Sequence, residues 1–274
     1  MTNLLRIEWL KIKNYTAFKV IGIFFLVGIV LANVFTYYGF QKISANTPAG
    51  DFIGLFNPYS FTSTWQTTSY VSGFLLILPA MLILMLVTNE YTFRTNRQNV
   101  IDGWSRGEFI GVKLIMAFLF ALISTIVVFI TATSFAAFTQ TSFSFHSVSH
   151  VGYFFLKALT YNMFAVLVSV LVKKTGFAIG LFFIYLVGEN FVSNILDFWS
   201  IKLRDDKTMD VGSLGNYLPM NAADGLLIFP DNPIKSFAKG ISPTDYIWVV
   251  LAFAIFYIAL FIFWSYKKYI KTDI

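Results

Sequence analysis

The run Leu75–Val87, LLILPAMLILMLV, is apolar on every face of a helix. Comparable runs fall at 18–38, 70–88, 112–137, 151–172, 176–196 and 244–266. Each approaches the roughly 20 apolar residues a helix needs to cross a bilayer. A water-soluble chain of 274 residues could not hide six of them. Within lipid every backbone polar group must be satisfied internally, which leaves helices or closed barrels. A barrel strand alternates apolar and polar residues over about 10 positions; these runs do not. Charged residues make up 12% of the chain, against about 25% in ordinary soluble proteins. The expected fold is therefore an all-α polytopic membrane protein, one domain over 1–274, with six transmembrane helices.

Basic residues set the orientation. Of 20 Lys and Arg, 13 fall on one side if both termini are cytosolic. Cytosolic segments are enriched in these residues, so N-in and C-in is expected. The net charge of +6 flanks the apolar runs, as topology signals do, and gives no sign of a nucleic-acid partner. Cysteine is absent, which excludes disulfides and thiolate metal sites. His146 and His150 have i, i+4 spacing without a third ligand in view, so no metal site is expected. Neither a Ser/His/Asp triad nor a catalytic carboxylate pair is evident, and an enzyme is not expected.

One polar stretch stands out: Asn89–Lys113, NEYTFRTNRQNVIDGWSRGEFIGVK. Thr95 with Gln98, and Ser105 with Glu108, fit the pattern in which a hydroxyl and a side chain three residues on satisfy free amides at a helix start. Asp102-Gly103 is a turn signal. A short helix over 95–101, a turn, and a second helix from 106 into the third span are predicted: a structured knuckle rather than a linker. Glu90 precedes Arg94 by four residues, a spacing worth about 0.2–0.5 kcal/mol on an exposed helix. Arg97, Trp104 and Arg106 are the predicted anchors for a partner, Arg and Trp being frequent interface hot spots.

Elsewhere, residues 1–17 fit a helix lying at the membrane surface, with Leu5, Trp9 and Ile12 on one face. Gly176, Gly180 and Gly188 share a face of the fifth span, which suggests close packing near a pathway. Glu189 lies inside that span and invites either a functional role or a local pairing. The segment 197–243 is read as an outer loop. It opens on the charged "KLRDDKTMD", and its piece "LGNYLPMNAADGLLIFP" is apolar enough to lie on or dip into the membrane.

In layout the chain resembles the membrane subunit of ATP-binding-cassette transporters of the ABC-2 type. That family has a polar N-terminal helix, six spans, and a cytosolic knuckle between the second and third. An acid closing the second span, a Thr-Arg helix, a Ser-Arg pair and a Lys at the next span are matched here by Glu90, Thr95, Arg97, Ser105-Arg106 and Lys113. The family often has Gly before that Thr, where this chain has Arg94. The resemblance implies that 89–111 is a coupling helix seated on a separate ATPase, and that a second permease chain completes a dimer. It also implies export across a bacterial cytoplasmic membrane. The chain lacks the G-x-x-x-x-G-K-[ST] phosphate loop, so ATP and magnesium would belong to the partner, and no cofactor is expected in this chain. An ion-coupled carrier and a non-transporting scaffold are the alternatives. The scarcity of ionisable groups in the spans argues against the carrier.

Overall fold

The computed structural model describes residues 2–46, 58–59, 63–101, 103–139, 145, 147–205, 210–230 and 246–271. Every regular element among them is a helix. A short α1 (Thr2–Lys13) leads into α2 (Thr16–Asn46). α3 runs from Thr64 to Thr92 through one 3-10 turn at Phe74–Leu76. Then come the short α4 (Thr95–Ile101), α5 (Arg106–Phe138), α6 (Ser149–Val172) and α7 (Thr175–Asp205). A 3-10 turn (Leu214–Tyr217), the single-turn α8 (Asn221–Asp224) and α9 (Ile247–Lys271) follow. Six of these helices, α2, α3, α5, α6, α7 and α9, are long and apolar enough to cross a membrane.

The long helices alternate in direction, which gives the bundle two ends. At the knuckle end, Thr88 of α3 meets Thr175 at the start of α7, and Arg106 donates to the Ile270 carbonyl of α9 at 3.0 Å. At the far end, Trp65 of α3 packs with Ala132 of α5 and Val151 of α6. α6 is the centre. Its most apolar stretch is 78% buried, against 17% for α2 and 22% each for α7 and α9. Apolar side chains gain little by leaving lipid for one another, so close packing and interhelical hydrogen bonds must hold such a bundle. α6 supplies both. Ala158 and Ala165 let neighbours approach, Asn162 donates to the Ala117 carbonyl at 3.0 Å, and Ser169 reaches the Leu84 carbonyl at 3.3 Å.

The helices outrun their apolar windows. α3 begins at Thr64 rather than near 70, because the Thr/Ser-rich turn TWQTTS is helical with its hydroxyls turned inward. α7 continues to Asp205, so 197–205 is helix rather than the start of a loop. Backbone hydrogen bonding continues wherever the chain allows it, whatever the polarity of the side chains. Ser242, Pro243 and Asp245 fit the start of the last span, as a capping hydroxyl, a first-turn proline and an acid at the positive helix end, and they lie outside the described residues.

The knuckle has the predicted division into two helices. Ser105 is extended (φ −72°, ψ 150°), its hydroxyl accepts from the Glu108 amide at 3.1 Å, and the Glu108 carboxylate accepts from the Ser105 amide at 2.9 Å. Ser105→Ala removes this start signal and is expected to cost about 1 kcal/mol, read as a modest drop in unfolding temperature. The other expected cap is different. Thr95 is already helical and its hydroxyl reaches back to the Glu90 carbonyl at 3.5 Å. The chain turns one residue earlier, at Arg94, whose φ of 56° lies in the left-handed region glycine prefers. Asp102 of the turn is outside the described residues; Gly103 has φ 99°.

Candidate functional site

The knuckle is joined to the bundle by a buried charge network. Lys113, two turns into α5, pairs with Glu8 of α1 and with Glu90 of α3. Lys11 bridges the same two acids, at 2.9 Å to Glu8 and 3.2 Å to Glu90. Asn99 of α4 donates to the other Glu90 oxygen at 3.4 Å. Glu8, Glu90 and Lys113 are all buried. Two cations against two anions leave the cluster neutral, which is what makes its burial tolerable. Burial alone pushes the Glu8 carboxyl up, but the Lys113 and Lys11 ammonium groups outweigh it and hold it below the usual range. Burial likewise opposes the Lys11 charge, yet Glu90 and Glu8 raise it above its ordinary value.

Of the residues singled out in the sequence, Glu90 and Lys113 meet directly. Arg94 does not pair with Glu90: α3 has ended by Thr92, so the four-residue spacing is not helical there. Trp104 turns inward, half-buried, with the Lys11 ammonium 5.8 Å from its ring centre. Arg106 ties α5 to the end of α9. Arg97 lies on α4, and its side chain is outside what is described. What the knuckle exposes instead is apolar: Ile101 is 83% and Phe93 72% accessible, beside Arg94. On α1 the buried face runs through Glu8 and Ile12, not through Trp9, which is half exposed. An acid on the inner face is tolerated because two lysines meet it.

The glycine face takes no part in packing among the described residues of the chain. A Cβ at Gly176, Gly180 or Gly188 would meet nothing within 4 Å. α7 packs inward through Ala178, Phe182 and Leu186, so the glycines face away from the bundle. Gly176 and Gly180 lie in a shallow groove of about 410 Å³ with Phe177, Leu181 and Ile184.

Glu189 points inward. Its Oε1 accepts the amides of Met220 at 2.6 Å and Asn221 at 2.8 Å. It is one of three carboxylates that hold the segment 210–230 into the far end. Asp197 accepts from the Ser213 hydroxyl at 2.6 Å and the Gly215 amide at 2.9 Å. Asp224 pairs with Lys157 at 3.1 Å and accepts from the Tyr161 hydroxyl. Met220, Ala222, Ala223, Leu226 and Leu227 are buried, so the segment packs among α6, α7 and α9 instead of lying on a surface. The spans are thus less free of ionisable groups than their composition suggests. Glu8, Lys11, Lys157, Asp197 and Asp224 were not expected at a site. The one sequence signal among them is Lys157, a lone cation in FFLKALTY.

The chain matches no protein-family model, and a comparison with curated proteins gives no match either. Its class rests on its own physics: an all-helical chain whose six long apolar helices fit a multi-pass membrane protein.

Proposed function

We propose that the chain is the membrane-spanning subunit of an ATP-driven transporter of the ABC-2 kind, exporting its cargo across the cytoplasmic membrane of a bacterium. Its knuckle takes up the movement of a separate ATPase that holds ATP and magnesium, and a second permease chain completes the pathway. The observation that carries this reading is the buried network of Glu8, Lys11, Glu90 and Lys113. A loop that only connects two spans needs two to eight residues and no welding. Here α1, α3, α4 and α5 share one set of charges, so a push on the knuckle reaches two spans together. A rigid element with two arrangements is one way that distant sites are coupled.

The contact surface on this reading is the exposed Phe93, Arg94 and Ile101, with Arg97 beside them on α4, rather than Trp104 and Arg106. Phe93→Asp with Ile101→Asp is expected to abolish co-purification of the ATPase while the unfolding temperature of the purified chain stays within a few degrees. Normal capture of the ATPase by this variant would remove the knuckle as the docking site. A second reading, an ion-coupled carrier, is favoured by the ionisable groups Lys157, Asp224 and Glu189 within the bundle, since carriers place such groups along the ion path. Transport that persists with ATP depleted and collapses with the membrane ion gradient would select it.

A further inference from the structure

Lys157 has no part in docking an ATPase. It lies eight residues on from Ser149, about 12 Å along α6 at 1.5 Å per residue. It is 7% exposed. Its ammonium is 3.1 Å from Asp224, 5.6 Å from the Tyr161 ring centre and 5.8 Å from that of Phe74. A Cβ on Gly73 would come within 3.3 Å of the ammonium and 3.0 Å of Leu227, so the missing side chain makes the room. One turn before Gly73, on the same face of α3, the Ser69 hydroxyl is fully buried with no hydrogen-bond partner among the described residues.

A buried ion pair contributes little over an apolar pair of the same size, so stability does not account for this one. Its parts are also unequal. The ammonium, the Tyr161 phenol and the idle Ser69 hydroxyl stand on long, packed helices. The carboxylate that Lys157 and Tyr161 hold stands on the segment 210–230. Asp224 is 28% accessible at its side chain, so the pair lies just under the surface of the bundle. That surface is aromatic: Phe74 is 62% exposed, Tyr70 packs on it at 5.2 Å, and Phe229 packs on Tyr70 at 5.4 Å.

We propose that Lys157, Tyr161 and Ser69 form a binding site for the anionic head group of an amphiphile, a carboxylate or a phosphate, and that Asp224 is a tethered stand-in which fills the site until its segment moves. The apolar body of the ligand lies along Phe74, Tyr70 and Phe229. Lys157 pairs with Asp224, and Glu189 holds the Met220 and Asn221 amides of the same segment. A carboxylate or a phosphate monoanion takes the place of the Asp224 charge beside Lys157 one for one, and a phosphate dianion brings one further negative charge to the same ammonium. The site stands whether or not an ATPase engages the knuckle.

The probe is radiolabelled dodecyl phosphate, titrated into the purified full-length chain in a neutral detergent. A tethered carboxylate competes at high effective concentration, so Asp224→Asn is expected to bind at least about tenfold more tightly than wild type. Adding Lys157→Gln removes that gain. Inorganic phosphate binds neither form, which separates an amphiphile site from a free-phosphate site. A second measurement leaves the ion pair intact. In this cysteine-free chain, Phe74→Cys on the exposed aromatic surface is labelled by a maleimide, and dodecyl phosphate, but not dodecanol, slows the labelling. Equal binding by Asp224→Asn with and without Lys157→Gln, or no protection at position 74, overturns the proposal.

Discussion

Lys113→Met is expected to destabilise the folded bundle by about 3–5 kcal/mol, the usual cost of removing one partner from a buried ion pair. Lys113 is the only fully buried cation of its network, and it touches both acids. Without it Glu8 and Glu90 face each other with only the partly exposed Lys11 between them. The effect is measured as a fall in unfolding temperature in detergent. Glu8→Gln and Glu90→Gln added to Lys113→Met restore most of the loss, because they remove the stranded charges. An unchanged unfolding temperature for Lys113→Met would show that the network carries no weight. The acid side of the stability profile gives a second check. Glu8 is held below its usual range, so its contribution is complete at neutral pH and is lost as pH falls through the lowered value. Lys11 is raised, so its share is complete at neutral pH and fades only as pH climbs past about 10.4. Lys113→Met flattens the acid arm and leaves the neutral plateau lower.

Glu189→Ala is expected to release the segment 210–230, and Glu189→Gln is not. Two buried amides, of Met220 and Asn221, donate to one carboxylate oxygen. Leaving a buried donor unsatisfied costs about 1–3 kcal/mol, so alanine costs about twice that. Glutamine still offers an oxygen in the same place. Protease cleavage within 210–230 should rise sharply in the alanine variant and stay near wild type in the glutamine variant. The opposite pattern of function separates a pathway role: a Glu189 that handles protons or cargo charge loses transport on conversion to Gln with the segment still in place. Equal protease resistance in all three proteins would mean that the carboxylate does not anchor the segment.

What the sequence made legible was local. The spans follow from uninterrupted apolar runs, and the knuckle from hydroxyl and acid spacings that act within one turn. Ser105 and Glu108 find each other across three residues whatever the rest of the chain does. Glu90 illustrates what was not legible. Its neighbour in sequence, Arg94, sits past the end of the helix, while its partner Lys113 is 23 residues on, and the Glu8 that shares Lys113 is 105 residues away from it. Pairings of that reach depend on how helices pack. Lys157 and Asp224 were missed for the same reason. The small residues of α7 permit close approach, but the sequence does not say whether a neighbour within the chain takes that side, and among the described residues none does.

The central position of α6 bears on how such a chain drifts over generations. α3, α5, α7 and α9 all lean on α6, so a change of one methyl group on it must be accommodated by several neighbours at once. Wherever no second chain packs on them, the outward sides of α2, α7 and α9 ask only for oiliness. Leu, Ile, Val and Phe can trade places there with no consequence for shape. Lineages of this protein should therefore diverge fastest along those outer faces, and α6 should be the last stretch by which distant descendants still recognise one another.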